Sequence, residues 1–437
     1  MSAESLQLDR DQRESVARRS NPFWLPLLAM LLLSFSFMQF FSGESDGTRE
    51  PSGGGAFKFA MHIAAYGIMG IVFIRYFKGK VPNSSDLKLY VTYCMLVLTS
   101  VFIYAFRIGD ANTEMFARAL DLTFFGIVIL IVIKMKIEDS FFITFAAVSA
   151  PVFSIILIYI FFPEQAFNQF TAPSGETVTR LGGKNMHPNL LARCAAISFL
   201  LVWGLGIRKG LKVFLSLLFF TVIIFSQSRT SLLTLVISII GAYMIARGNF
   251  VTKIIGACSL ILFLIGAVLV YQTGVGDLIP SRPIFDNVGT LGGRTLLWEV
   301  AWREFSNASF IEFLFGMNPF FASKEFYVHS HWTTSSLHNT YFHVLVGCGI
   351  FTVAIYTLML VRLLRINAST IELAFSFRAV VIYILVNGLT EQTAATKMGY
   401  FTIILPLIMA QCHQRKDIEK DKPKISHETS SNGHNKK

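Results

Sequence analysis

Blocks of roughly twenty apolar residues recur along this chain, a length that matches a helix crossing about 30 Å of hydrocarbon. They lie near 22–42, 57–77, 88–109, 113–133, 140–162, 187–207, 211–227, 229–246, 251–273, 338–361, 376–391 and 396–412. Strands cross lipid only as closed barrels, and these blocks lack the alternation of a membrane barrel. The fold expected is all-α: a polytopic helical membrane protein with about twelve transmembrane helices. Composition agrees, with 53% hydrophobic and only 15% charged residues, too little charge to cover a soluble surface of 437 residues.

The run 211–246 is interrupted by Ser226, Gln227, Ser228 and Arg229. One helix of that length would reach roughly 54 Å, too long for a bilayer. Two short helices with a polar tip are expected instead.

Cations orient the helices. With the arginines of the N-terminal segment (Arg10, Arg13, Arg18, Arg19) in the cytoplasm, the even-numbered helix ends should also be basic. They are, at Arg75, Lys78, Lys80 and Lys88, at Lys134 and Lys136, at Arg208, Lys209 and Lys212, at Arg247 and Lys253, and at Arg362 and Arg365. Twelve spans with both ends inside follow. The chain divides into a cytoplasmic segment 1–21, helices one to nine over 22–273, a large periplasmic loop 274–337, helices ten to twelve over 338–412, and a disordered basic cytoplasmic tail 413–437. The first apolar stretch is long, Phe-rich and without a small-x-small cleavage site, so it reads as a retained helix.

Several function classes drop out. Cys94, Cys194, Cys258, Cys348 and Cys412 fall within expected helices without paired spacing, which reads as inert buried thiols. No phosphate-cradling Gly-rich loop or zinc motif is present. The net charge of +11 is partly positive-inside bias, and no nucleic-acid partner is expected. His329 and His331 have metal-pair spacing but no carboxylate cluster beside them, and no metal is expected there.

Two outer loops are long enough to carry chemistry, about 163–186 and 274–337. Their arginines run against the positive-inside trend and need explaining. Arg180 precedes Gly182, Gly183 and the helix start at His187, Pro188 and Asn189; Arg229 sits at the polar tip; Arg294 follows Gly292 and Gly293 and precedes Trp298; His338 and Asn339 open the tenth helix. Taken singly, Arg180 and Arg294 could anchor to lipid headgroups, and Arg229 could pair with Glu391. Arg118 and Asp121 read as an i, i+3 helix pair. Taken together, three arginines and a histidine at loop–helix junctions on one side of a membrane make an anion site. Guanidinium binds phosphate oxygens bidentately at any physiological pH, and histidine takes a proton near neutrality. A lipid-linked diphosphate fits, its tail between helices.

These residues resemble the O-antigen ligase and polymerase superfamily. Arg180 with Pro188 and Asn189, Ser228 with Arg229, and Arg294 with Trp298 are similar to family elements in the same order, and Glu391 sits where such chains often carry an acid. The most specific match is His338 and Asn339, nine residues, then Gly349, two residues, and Thr352, a pattern similar to that of O-antigen ligases. Polymerases carry paired Arg-x10-Gly loops; Arg282 and Gly293 fit one, while Arg180 meets Leu191 where the second needs glycine.

The resemblance implies a GT-C-like fold and an inverting, metal-independent glycosyltransferase of the bacterial inner membrane, with no cofactor. Its active site would face the periplasm. The donor would be O-polysaccharide on undecaprenyl diphosphate, the acceptor a sugar hydroxyl of lipid A–core, with Lys184 and Lys324 on a basic outer rim. His338 would be the general base, Arg180, Arg229 and Arg294 the diphosphate ligands, and Asn339 and Glu391 supporting residues. A polymerase extending lipid-linked repeats is the second reading, a lipid-linked sugar transporter the third.

Overall fold

A computed structural model describes residues 67, 85–108, 122, 137–171, 177–182, 186–247, 294–317, 337–365 and 371–391. Their elements, numbered in chain order, are α1 (Ser85–Ile108), α2 (Ile137–Phe161), a one-turn α3 (Pro163–Ala166), β1 (Phe167–Thr171), β2 (Thr177–Leu181), α4 (Pro188–Val202), α5 (Lys209–Phe225), α6 (Arg229–Arg247), α7 (Arg294–Ser306), α8 (Phe310–Phe315), α9 (Thr340–Leu363) and α10 (Ile371–Asn387). The expected segments 22–42, 57–77, 113–133, 251–273 and 396–412 lie outside the described residues, Gly67 and Leu122 excepted.

Among the described residues the protein is mostly helical, and three helices there are long and apolar enough to cross a membrane, over Ser85–Arg107, Thr144–Phe161 and Thr340–Leu363. Helix α5 shows why the bundle belongs in lipid. It exposes Phe214, Leu217, Phe220 and Ile224, spaced three or four apart along one face, while Phe219, Val222 and Ile223 are buried against the core. An apolar stripe on both faces is stable only where the surrounding solvent is hydrocarbon. This is an integral membrane protein.

Two packed groups meet at one end. Helix α4 is the hub of the first, packing on α2, α5, α6 and α10, with α6 also laid along α10. In the second, α1 lies against α9, and Tyr93 and Tyr356 meet there at a ring distance of 5.8 Å. Opposite ends of α1 fix its direction relative to α9. At its start, Asp86 pairs with Arg362 at 2.9 Å, and Ser85 accepts from the same guanidinium. Its end, Arg107, reaches α8, which packs near the start of α9. The starts of α4, α6 and α9 therefore share an end with the close of α10. Lys88, Arg208, Lys209, Lys212, Arg362 and Arg365 stand at the other.

The polar tip forms as the sequence predicts: α5 ends at Phe225 and α6 begins at Arg229. Other expectations need amendment. The segment 163–186, expected from sequence to be an outer loop, contains an antiparallel hairpin pairing Phe167 with Leu181 and Asn168 with Arg180. The all-α description therefore gains two short strands, because these runs of Thr, Val and Phe favour extended backbone. The segment 274–337 also holds regular structure, in α7 and α8. Ser309 caps α8 in a reciprocal capping box with Glu312, which lets so short a helix hold its first turn. Finally, α10 runs Ile371–Asn387 rather than 376–391, so Glu391 sits in a turn beyond the helix, its N–H bonded to the Asn387 carbonyl at 2.8 Å.

Helix α9 is broken at Gly349, whose φ of +83° no ordinary residue adopts comfortably. The break lets α8 approach backbone to backbone. A Cβ on Gly349 would stand 2.1 Å from the Leu314 oxygen, and one on Gly316 would stand 2.1 Å from the Gly347 oxygen. Met317 N–H bonds the Val346 carbonyl across the contact at 2.9 Å. The Cys348 carbonyl at the break accepts from Thr352 at 2.6 Å and from Ser100 of α1 at 3.3 Å. The Gly349 and Thr352 positions of the sequence motif thus have a physical basis: a kink that seats α8, and a hydroxyl for a carbonyl at that kink.

Candidate active site

The hairpin forms one wall of the site. Strand β2 packs on the end of α5 and clasps the polar tip. Arg180 donates its Nε to the Ser226 carbonyl at 2.9 Å, and Gln227 donates its side-chain amide to the Thr179 carbonyl at 3.2 Å. Gln227 is left-handed, with φ +50°, a conformation that costs a non-glycine residue roughly 1–2 kcal/mol and persists because neighbours hold it. Behind the tip, Ser228 donates to Ser231 at 3.0 Å. Arg229, first in α6, is exposed at the same end.

Arg180 is buried at 4% exposure and bonded inward, so it is not a headgroup anchor. Its Nη2 donates to Asn189 Oδ1 at 2.7 Å, and the Asn189 amide donates onward to Glu391 Oε1 at 3.1 Å. Two charged neighbours fix the amide orientation: the oxygen must face the guanidinium and the nitrogen the carboxylate. Asn189 reaches both because His187 caps α4 through Nδ1, accepting from the Asn189 N–H at 3.2 Å, with Pro188 in the first helical position.

Glu391 is buried and is the node of the site. Its Oε2 faces Arg193 Nη2 at 3.5 Å and His338 Nδ1 at 3.8 Å. Its main chain is held too, since Thr340 donates its hydroxyl to the Glu391 carbonyl at 2.8 Å and its N–H to the Gly388 carbonyl at 2.7 Å. A carboxylate taken out of water stays charged only with partners of this kind.

His338 is the accessible member of the pair, its side chain 31% exposed against 6% for Glu391. It too is left-handed, with φ +48°, immediately before Asn339 turns extended and caps α9 by accepting from the Phe342 N–H at 2.9 Å. The approach to His338 is pinned from α7: the Trp298 indole N–H donates to the Leu337 carbonyl at 2.6 Å. Arg294 opens α7 one turn before Trp298, while its side chain lies outside the described set.

Of the residues singled out from sequence, Arg180, Asn189, Glu391 and His338 are thus joined in one network. Arg229 begins the helix that follows the clasped tip, and Asn339 shapes the approach. His329, His331, Arg282, Lys184, Lys324, Arg118 and Asp121 lie outside the described residues. Sequence reading missed Arg193. The signal was there: a lone arginine in the apolar helix Pro188–Val202 is costly in lipid and marks a buried partner.

A buried carboxylate thus lies beneath a partly exposed histidine at one end of a helical membrane bundle. Residues 214–357, from within α5 to within α9, match the O-antigen ligase family model. That segment includes Arg229, Arg294 and His338; Arg180, Arg193 and Glu391 complete the site from outside it. No curated protein matches the chain.

Proposed function

We propose that this protein is an O-antigen ligase that moves O-antigen polysaccharide from undecaprenyl diphosphate to a sugar hydroxyl of lipid A–core. The bundle would be a GT-C-like array of about twelve helices in the bacterial inner membrane. Its basic helix ends would lie in the cytoplasm and the Glu391 end would face the periplasm, as the positive-inside trend requires.

The observation that carries the reading is the approach of His338 Nδ1 to the buried Glu391 carboxylate at 3.8 Å. A proton on Nδ1 facing that oxygen leaves Nε2 as the basic nitrogen, as in other carboxylate-supported histidine bases. The acceptor hydroxyl oxygen attacks the anomeric carbon of the donor from the face opposite the diphosphate. Its proton passes to His338 Nε2, the carbon–oxygen bond to the diphosphate breaks, and undecaprenyl diphosphate leaves with the bonding electrons. Inversion follows from the single displacement. Diphosphate is already a good leaving group, so neither ATP nor a metal is needed. Arg229 and Arg294 would meet the charge that develops on it; preorganised cations at a leaving group are usually the largest catalytic contribution. Arg180 would belong to the same donor site, and its bonds to Ser226 and Asn189 give it a second task, carrying the polar tip that leads into Arg229.

Purified protein should transfer lipid-linked glycan to lipid A–core without added metal or ATP. His338→Ala should lower the rate by about 10²–10⁴-fold, the usual range for a lost general base; undiminished transfer would sink the assignment. The spacing of His338, Gly349 and Thr352 favours ligase over polymerase. Gene deletion separates them: a missing ligase leaves long chains on the lipid carrier, a missing polymerase leaves single repeats on the core.

A further inference from the structure

Resting on the ligase reading, we propose that Arg193 is a positioning residue of the reaction: it holds the Glu391 carboxylate charged and aimed so that His338 turns its outward nitrogen to the acceptor hydroxyl. Arg193 stands four residues after Asn189 on α4, so both project from one face of that helix. Each grips a different oxygen of Glu391. Asn189 takes Oε1 at 3.1 Å and Arg193 takes Oε2 at 3.5 Å, the oxygen that also faces His338.

Geometry confines the carboxylate further. Arg193 and Glu391 side chains are each 6% exposed, so water does little to compensate either charge. The Glu391 main chain is tied to Thr340 and Asn387. With its backbone fixed and both oxygens engaged from α4, the carboxylate cannot swing away from the imidazole. Other ionisable groups near the node are arranged around it: Arg180 acts on Glu391 through Asn189, and Tyr383 lies on α10, two turns before Glu391. Arg193 is the cation placed directly against the oxygen that His338 uses.

The test is a double-mutant cycle in the full-length protein reconstituted in lipid nanodiscs, with kcat and KM measured for donor and acceptor. Arg193→Gln should lower kcat by about 10–100-fold, within the range a misaligned base loses, while each KM stays within about twofold. In a Glu391→Gln background the same change should cost less than about threefold, because the carboxylate it serves is gone. Arg193→Lys keeps the charge with different geometry and should recover kcat about tenfold over Arg193→Gln. Full additivity of Arg193→Gln and Glu391→Gln would overturn the proposal, as would a rise in donor KM at constant kcat, which marks direct substrate binding. If Arg193→Gln does not accumulate, Arg193→Lys decides alone: kcat as low as that of Glu391→Gln overturns the role, and kcat clearly above it supports it. His338→Ala keeps the two readings apart. An active His338→Ala enzyme removes the general base and the role built on it, whereas an inactive one with additive Arg193 and Glu391 losses removes only the role of Arg193.

Discussion

Gly349→Ala should loosen α8 from α9 and disturb the end of the bundle that holds His338. The magnitude follows from the backbone approach at the break. An alanine Cβ at 2.1 Å from the Leu314 oxygen must gain about 0.9 Å before it reaches the shortest distance that real Cβ atoms keep. Its neighbour is backbone, so no side chain can swing aside. The residue must also hold φ near +83°, which costs a residue with a Cβ about 1–2 kcal/mol. Forcing extra volume into a close contact adds about 1–3 kcal/mol, and stretching the Met317 to Val346 hydrogen bond adds about 1 kcal/mol. A loss of about 3–6 kcal/mol is expected, seen as a fall in Tm of about 5–12 °C for purified protein in detergent. Proteolysis between α7 and α9 should speed up in parallel. Gly210→Ala is the control, since its Cβ meets nothing within 4 Å in the first turn of α5, and alanine there should leave Tm level or slightly higher. An unchanged Tm and unchanged cleavage in Gly349→Ala would refute the backbone contact between α8 and α9.

Three other outcomes follow from the geometry. Asn189→Asp keeps the acceptor for Arg180 but sets a second carboxylate against Glu391, so stability should drop by about 1–3 kcal/mol, whereas a tolerated Asp would disprove the assigned amide orientation. Trp298→Phe removes the indole N–H that holds the Leu337 carbonyl; transfer should fall severalfold with a stability cost of about 1 kcal/mol, and a normal rate would show that His338 is placed without that tie. The third concerns pH. Burial is the largest single influence on Glu312 and pushes its carboxyl up, but hydrogen bonds from Ser309 and the Arg107 guanidinium outweigh it together and hold the group below its ordinary value of 4.5. A lowered folded value means stability that is complete above pH 4.5 and fades as pH falls below it. Arg107 is half exposed, so the gain is only about 0.2–1 kcal/mol. Thermal melts at pH 7 and pH 3.5 should show Glu312→Gln losing less on acidification than the native chain; equal losses would place the pH dependence elsewhere.

Much of the fold was legible because lipid leaves few options. Apolar length alone marked α1, α2 and α9, and the charged interruption at Ser226–Arg229 divided α5 from α6. The hairpin was harder, since five-residue strands carry little pattern, though the turn-favouring residue types Pro, Ser and Gly at 173–175 of the sequence, between two Thr-containing runs, were a usable sign. The Ser309 and Glu312 spacing of a capping box likewise marked α8 inside a stretch read as loop.

Local chemistry singled out Arg180, Asn189, His338 and Glu391, because arginines on the side expected to face outward and a histidine at a helix start are unusual. Their partners were beyond its reach. Asn189 and Glu391 are 202 positions apart, and only the packing of α10 against α4 brings amide to carboxylate. The same packing selects Arg193 to face Glu391, a choice that periodicity cannot make because it names a helix face and not what lies opposite. What the sequence determined was a helical membrane protein with a polar end; what the tertiary structure decided was which charges meet there. Helix length follows from bilayer thickness and is written locally, whereas charge pairing depends on contacts between segments far apart in the chain.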